Sequence, residues 1–303
     1  MTQLYLICIS ILIYILILQF YTRFNTELFS TSQKKPYIWM YWDNKPGKTR
    51  PVYLDICLET IQKHCQQSFE IVILNKKNVY DYLPNLRTDI WEKLVHIPML
   101  TDYIRYMLIY KYGGIWLDFD IIMMKNIMPL YKKLDEYDYI GFGCYFNDAD
   151  CMHNTGYPGP ANWCLISKKN NILFKECINQ CNYLLDRYPR SYFSRNYHVF
   201  GKTLFLRLIK IIIDKNPKWK YYHMPSKCME RDSTGTKTRN HIMISEKDID
   251  PICKKKYYFL PMYNTAPGFP DWFYKLNRSE LLNSKMLISK FYRYSLHSKR
   301  MKL

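Results

Sequence analysis

No two of the ten cysteines form a Cys-x-x-Cys pair, the spacing most typical of a structural zinc site, so none is expected. Cys8 sits in an apolar run near the N-terminus and leaves nine beyond it, an odd number that argues against a complete disulfide framework. Charge is missing altogether from Met1 to Thr22, where Leu4 to Phe20 is almost wholly Leu, Ile and Tyr. At about 1.5 Å of rise per residue such a run approaches the roughly 30 Å hydrocarbon thickness of a bilayer. No Lys or Arg precedes it, and its end, Gln19-Phe20-Tyr21-Thr22-Arg23, offers no small-residue cleavage site, which argues against a removable signal peptide. The expectation is an uncleaved transmembrane signal anchor over residues 1–22, followed by a polar stem over residues 23–35. Two orientations stay open. Arg23, Lys34 and Lys35 follow the span, which favours a cytosolic face for the large domain, whereas residence in an ER- or Golgi-like lumen needs the opposite. Use of the sequon Asn277-Arg278-Ser279 would report a lumenal side. Internal repeats and long low-complexity tracts are also missing.

What the chain does have is positive charge, 44 Lys and Arg against 26 acidic residues for a formal +18. That balance suits nucleic acid, anionic lipid or a polyphosphate substrate. No nucleic-acid motif accompanies it, so no specific nucleic-acid partner is expected. Part of the charge is compositional: Lys, Ile, Asn, Tyr and Phe are abundant while Gly and Ala are scarce, the bias of AT-rich coding. Residues 285–303 concentrate it, with Lys285, Lys290, Arg293, Lys299, Arg300 and Lys302 and no acid. Leu287, Phe291 and Tyr294 fall there at helical spacing, predicting either a segment lying on an anionic membrane surface or a solvated basic tail.

Between stem and tail the pattern is α/β. Tyr37 to Tyr41, bounded by Pro36 and Asp43, reads as a first buried strand, and Phe69 to Leu74 as a second. Val52 to Cys65 begins just after Pro51 and reads as the helix between them. This order, continued through Tyr80 to Lys93 and a helix from Met99 to Tyr112, predicts a largely parallel sheet flanked by helices. Tyr139 to Gly143 and Trp163 to Ser167 look like further strands, with a polar loop from Asn147 to Asn162 between them. Helices are predicted over Ile172 to Asp186 and Thr203 to Asp214, and a lid-like or plain surface loop over Glu230 to His241.

The most informative stretch is Tyr112-Gly113-Gly114-Ile115-Trp116-Leu117-Asp118-Phe119-Asp120. Gly113-Gly114 reads as a helix stop that reverses the chain into an apolar strand. Alternate strand residues share a face, so Asp118 and Asp120 are expected to project together while Phe119 packs behind them. Two hard oxygen ligands suit Mn2+ or Mg2+, bridging to the diphosphate of a nucleotide-sugar. On the preceding helix Leu100, Ile104, Met107 and Leu108 form an apolar stripe, whereas Asp102 and Arg105 share another face. That pair reads either as an exposed ion pair or as the border of the same cleft.

In combination Pro36-Tyr37-Ile38-Trp39-Met40-Tyr41-Trp42, Asp102-Tyr103-Ile104-Arg105 and Tyr112 to Asp120 resemble the DXD glycosyltransferases. That group includes capsular polysaccharide synthesis proteins, initiating mannosyltransferases and clostridial toxin glucosyltransferases. The Tyr41-Trp42 opening and Asn162-Trp163 are most similar to the capsular branch. The resemblance implies a GT-A fold over residues 36–284, with a Rossmann-like sheet and an acceptor region in the C-terminal half. It further implies a retaining hexosyltransferase that uses a nucleoside-diphosphate sugar donor and a glycan or protein acceptor. Residue by residue, Trp42 looks like the tryptophan that stacks on the base, beside Tyr41. Asp102 and Arg105 fall where the donor sugar is contacted. Asp118 resembles the aspartate that reaches ribose and metal, and Asp120 the direct metal ligand. A further C-terminal contact has loose counterparts in Pro261 to Thr265 and Asp271-Trp272.

Two other readings compete. Leu117 to Ile121 also resembles the nucleophile strand of aspartate-based phosphatases, but those need a second acidic motif that typically begins Gly-Asp, and this chain has no Gly-Asp dipeptide. The non-enzymatic alternative is a basic, membrane-attached binding protein with a degenerate transferase fold.

Overall fold

The computed structural model describes residues 14–19, 35–44, 46–143, 160–225, 243–249, 257–262 and 270–297. Two compact units divide the chain, residues 1–35 and 36–303. In the first, residues 14–19 are helical and exposed, and the rest of the expected anchor and most of the stem lie outside the described residues. Among the described residues no helix is long and apolar enough to cross a membrane. The loop expected over Asn147 to Asn162 lies outside them up to Gly159, and that over Glu230 to His241 does so entirely.

The second unit is built on a six-stranded mixed sheet in the order β2-β1-β3-β6-β5-β7. Its strands are β1 (Tyr37–Tyr41), β2 (Glu70–Leu74), β3 (Gly114–Leu117), β5 (Tyr139–Gly143), β6 (Pro160–Ser167) and β7 (Tyr221–Pro225). β1 pairs parallel with β2 and β3, and β5 parallel with β7. β6 runs antiparallel to both of its neighbours, so it breaks the parallel series that the β-α-β order predicts. A separate two-stranded ribbon joins β4 (Ile121–Met123) to β8 (Phe259–Pro261).

Val52–Cys65 forms α1 over the predicted span. No strand arises between β2 and the next long helix. Two single turns fill that stretch instead, α2 (Val79–Tyr82) and α3 (Ile90–Lys93), because its few apolar residues bury at helical spacing. The long helix α4 (Ile97–Tyr112) takes Pro98 into its first turn, where no amide hydrogen is needed. It ends at Gly113, which has a φ of 67° and whose added Cβ would lie 2.7 Å from the Lys169 amide nitrogen, so glycine is required on both counts. After α5 (Met128–Tyr131) come α6 (Ile172–Arg187), α7 (Arg190–Arg195), α8 (Lys202–Lys215), α9 (Arg278–Asn283) and α10 (Leu287–His297).

The pleat of the central strands sorts side chains onto two cores. Ile38, Met40, Ile115 and Leu117 face the core that holds α1 and α10. Trp39, Tyr41 and Trp116 face the core that holds α4, α6 and α8. Five described cysteines, Cys57, Cys65, Cys164, Cys177 and Cys181, are buried free thiols in these cores.

The basic segment expected as a surface-lying or solvated tail from residue 285 is, as far as His297, the core helix α10. Leu287, Ile288, Phe291 and Tyr292 are fully buried, and the Tyr292 hydroxyl donates to the Tyr53 carbonyl at 3.2 Å. Burying such side chains stabilises by about 1.5–3 kcal/mol each, whereas an anionic surface offers roughly 1 kcal/mol per basic residue. Packing therefore wins. The charges serve as caps and clamps: Lys290 reaches Asp248 at 2.6 Å, and Arg293 donates to the Ser284 carbonyl at 2.8 Å.

Candidate active site

Three elements meet at the carboxyl end of β3, the place where ligands bind in open α/β sheets. The strand itself stops at Leu117. The Asp118 amide still donates to the Trp163 carbonyl of β6 at 2.9 Å. Beyond it the chain bends through Phe119 and Asp120 because β4 leaves the main sheet to pair with β8. The two aspartates are thus on a bend rather than in a strand, although burial still alternates, with Phe119 buried between two partly exposed carboxylates. Asp118 falls on the Trp116 face, where the Trp116 indole donates to its Oδ1 at 2.9 Å. Asp120 is pinned through its carbonyl to the Met262 amide at 2.8 Å. The charge of Asp120 favours the charged form of Arg105 and the protonated forms of Cys57, Tyr274 and Tyr292.

Asp102 and Arg105 are no surface pair. Both are buried, at 6% and 4% exposure. The Arg105 guanidinium lies over the Trp116 ring, 4.9 Å from its centroid, and 3.2 Å from Asp118 Oδ1 through Nη2. Its Nε is 3.4 Å from Asp102 Oδ1 and donates to the Thr101 carbonyl at 3.3 Å. Nη2 also donates to Thr101 Oγ1, and Nη1 to the Asn162 carbonyl. Arg105 thereby ties α4, β3 and β6 together while sharing its charge between two carboxylates.

Asp102 accepts a hydrogen bond from Asn162 Nδ2 at 2.7 Å. Its pKa is pushed up to about 7, chiefly by burial, with Asp118 adding to the rise and Arg105 and Asn162 opposing it. Asp118 is also raised by burial, against the pull of Arg105 and Trp116. The helix start of α8 closes over the cluster. An added Cβ on Gly201 would lie 2.5 Å from Asp102 Oδ2, so only glycine lets the chain approach this closely.

On the open side Trp42 is partly exposed and packs on Phe119, with ring centroids 5.6 Å apart, while its indole donates to Asn44 Oδ1 at 2.7 Å. Tyr41 points the other way, as its register requires. It is buried in the α4-side core, its hydroxyl bonded to Asp43 at 3.3 Å, so it does not join Trp42.

Of the six residues singled out in the sequence, Asp102, Arg105 and Asp118 touch one another directly or through one guanidinium. Asp120 and Trp42 flank them by way of Phe119, and Tyr41 stands apart. Sequence reasoning did not place Asn162, Gly201, Thr101 or Trp116 in the site. For Asn162 the resemblance of Asn162-Trp163 was a signal, and for Gly201 its rarity as a glycine outside any turn cluster was another. Asp118 and Asp120 are partly exposed carboxylates, a donor set whose hardness suits Mg2+ or Mn2+. Among the described residues no group of three or more His, Cys, Asp or Glu gathers to hold a cation.

Similarity to solved structures is distant. The galactosyltransferase LgtC, solved with donor and acceptor sugar analogs, aligns over 88% of this chain and 97% of its own at 13% identity, with a TM-score of 0.40. The PaToxG glycosyltransferase aligns over 61% and 70% at 13% identity, with a TM-score of 0.36. The glycosyltransferase GlyE of Streptococcus pneumoniae TIGR4 aligns over 64% of this chain at 13% identity and a TM-score of 0.38, and the match spans only 46% of GlyE. At these scores the likenesses carry no argument. No curated protein matches the chain in sequence. The family described as "Capsular polysaccharide synthesis protein" matches residues 13–232, well over half of the chain. The protein belongs to the capsular polysaccharide synthesis family.

Proposed function

We propose that this protein is a metal-dependent glycosyltransferase of GT-A type. It moves a hexose from a nucleoside-diphosphate sugar to a hydroxyl of a glycan or protein acceptor, with retained configuration. The observation that carries this reading is the buried Arg105 shared between Asp102 and Asp118 at the carboxyl end of β3. Family membership supports the reaction class. Attachment to a membrane through residues 1–22 belongs to the same proposal and rests on the sequence alone.

Asp118 and Asp120 would hold Mn2+ or Mg2+. When bound, the cation supplies positive charge against the diphosphate that departs as the glycosidic bond breaks. The chain does the rest by position. Arg105 and Trp116 fix the Asp118 rotamer before any ligand arrives, so no reorganisation is needed at the moment of reaction. Asp102, held by Asn162 and walled by Gly201, presents a carboxyl group that exchanges its proton near neutral pH and orients a donor-sugar hydroxyl. Trp42 offers its half-exposed ring to the nucleobase. No side chain is assigned as a nucleophile. The leaving phosphate accepts the acceptor hydroxyl's proton.

The test is release of nucleoside diphosphate from a panel of sugar donors by the full chain, with and without Mn2+. Metal-dependent release that Asp120→Asn abolishes is the expected result. Silence across the panel, or undiminished turnover by that variant, would refute the proposal. Salt-sensitive polynucleotide binding without donor binding would then favour the degenerate binding protein.

A further inference from the structure

The connection from β1 to α1 leaves the sheet at Trp42, and its described residues from Asp43 to Thr49 are exposed. Arg50, the last residue before the helix-starting Pro51, turns inward instead, with 23% of its side chain exposed. Its guanidinium carbon sits over the Phe119 ring, 4.6 Å from the centroid. Nε and Nη2 both reach one oxygen, Asp55 Oδ1, at 2.7 and 2.6 Å. Among the described residues Nη1 has no partner. Phe119 is the residue between Asp118 and Asp120, and Trp42 packs on the same ring. One aromatic side chain thus gathers a guanidinium, an indole and the two candidate metal ligands.

The charges around this ring do not balance for the proposed donor. Arg105 is committed to Asp102 and Asp118, so it brings no spare positive charge to a diphosphate. Asp55 is 43% exposed, and an ion pair to such a partner is weak in water. Asp55 and Phe119 therefore orient the Arg50 fork without using up its donors. A planar fork with one free edge fits phosphate oxygens.

We infer that Arg50 binds a phosphate of the nucleoside-diphosphate donor from the β1–α1 side, opposite Arg105. This assignment rests on the nucleotide-sugar reading above. It gives the short β1–α1 connection two roles, base stacking at its start through Trp42 and phosphate capture at its end through Arg50.

The experiment measures UDP and GDP binding to the full chain with Mn2+ by calorimetry, and uridine and guanosine binding by ligand-observed NMR. In Arg50→Gln the affinity for whichever nucleoside diphosphate binds should fall about tenfold or more, as expected for loss of charge-assisted hydrogen bonds. Nucleoside affinity should stay unchanged, and the melting temperature should fall by no more than a few degrees, as expected for loss of one exposed ion pair and one cation–π contact. Undiminished diphosphate binding, or equal losses for diphosphate and nucleoside, would overturn the assignment, the latter by revealing a merely structural role through Phe119. If Arg50→Gln does not fold, Arg50→Lys keeps the charge and loses the fork, and a smaller loss confined to the diphosphate is then expected, while wild-type binding overturns the idea. A wild-type chain that binds neither diphosphate defeats the nucleotide-sugar reading and this inference together. Wild-type binding that Arg50→Gln leaves intact defeats the inference alone.

Discussion

The two arginines of the site sit in opposite environments. Arg105 is buried among Asp102, Asp118, Thr101, Asn162 and the Trp116 ring, with hydrogen-bond partners on every nitrogen. Arg50 is partly exposed and bound to a single carboxylate oxygen beside Phe119. The difference separates two tasks that one site has to combine. The closed half spends desolvation on rigidity and fixes where Asp118 points. The open half leaves Trp42, Arg50 and Asp120 partly exposed, where a ligand can reach them. Stability should therefore concentrate in the first half and ligand recognition in the second.

The sharpest way to break this comparison is to remove each guanidinium in turn. Arg105→Ala leaves Asp102 buried and Asp118 partly exposed without their shared cation, and breaking such a pair costs up to about 3–5 kcal/mol, lessened as Asp102 takes up a proton. Arg50→Ala removes an exposed ion pair and a cation–π contact worth about 1 kcal/mol together. Chemical denaturation of the two variants should show that ratio. Equal losses would mean that the β1–α1 connection is as structural as α4.

Asp102 gives the next effect, as a pH dependence. Its folded pKa of about 7 lies above the ordinary value of 3.8, so the folded chain holds a proton that the unfolded chain has already released. The stability this proton contributes is fully present below pH 3.8 and is lost as pH rises through about 7. Metal-free wild-type protein should accordingly lose on the order of a few kcal/mol across that window from this group. Asp102→Asn should flatten this part of the profile while keeping the contact to Asn162. An unchanged slope would place the titrating group elsewhere.

Gly201→Ala ranks third. The new methyl would meet Asp102 Oδ2 at 2.5 Å, and relief requires α8 or the carboxylate to shift, at a cost of about 1–3 kcal/mol. A matching Ala at Gly47, with open space around it but a φ of 70°, tests backbone strain alone. Gly201 has an ordinary φ of −76°, so left-handed strain adds nothing there, and a loss near zero in Gly201→Ala would mean that contact with Asp102 is not what fixes glycine at 201.

Local pattern made much of this architecture readable in the sequence. Val52 to Cys65 and Tyr37 to Tyr41 folded over the ranges their caps and flanking prolines predict. Asp102 and Arg105 at i,i+3 announced one helix face, but not whether it was wet or dry. That depended on β6, which lies some sixty residues away in sequence and runs antiparallel, so no local period reveals it. The bend at Phe119 was hidden for a similar reason, since the run from Gly114 to Met123 is apolar enough to be one strand. Only the pairing of β4 with β8 ends it. Likewise the charges of residues 285–297 drew attention from the buried stripe of Leu287, Ile288, Phe291 and Tyr292 between them.

Asp120→Asn should have the smallest effect on stability. The side chain is partly exposed, the substitution keeps its size, and the backbone bond from Met262 to its carbonyl is untouched. The loss of one charge near Arg105 should cost less than about 1 kcal/mol, since the guanidinium keeps Asp102 and Asp118. Asp118→Asn is the informative partner, because it weakens the ion pair with Arg105 as well as the candidate metal ligand. Denaturation should thus separate two neighbouring aspartates of the same motif, with 118 costing more than 120, while Mn2+ titration weakens in both. If Asp120→Asn proved the more destabilising, Asp120 would belong to the closed half, and the division between a rigid and a receptive side would run through Phe119 in the opposite sense.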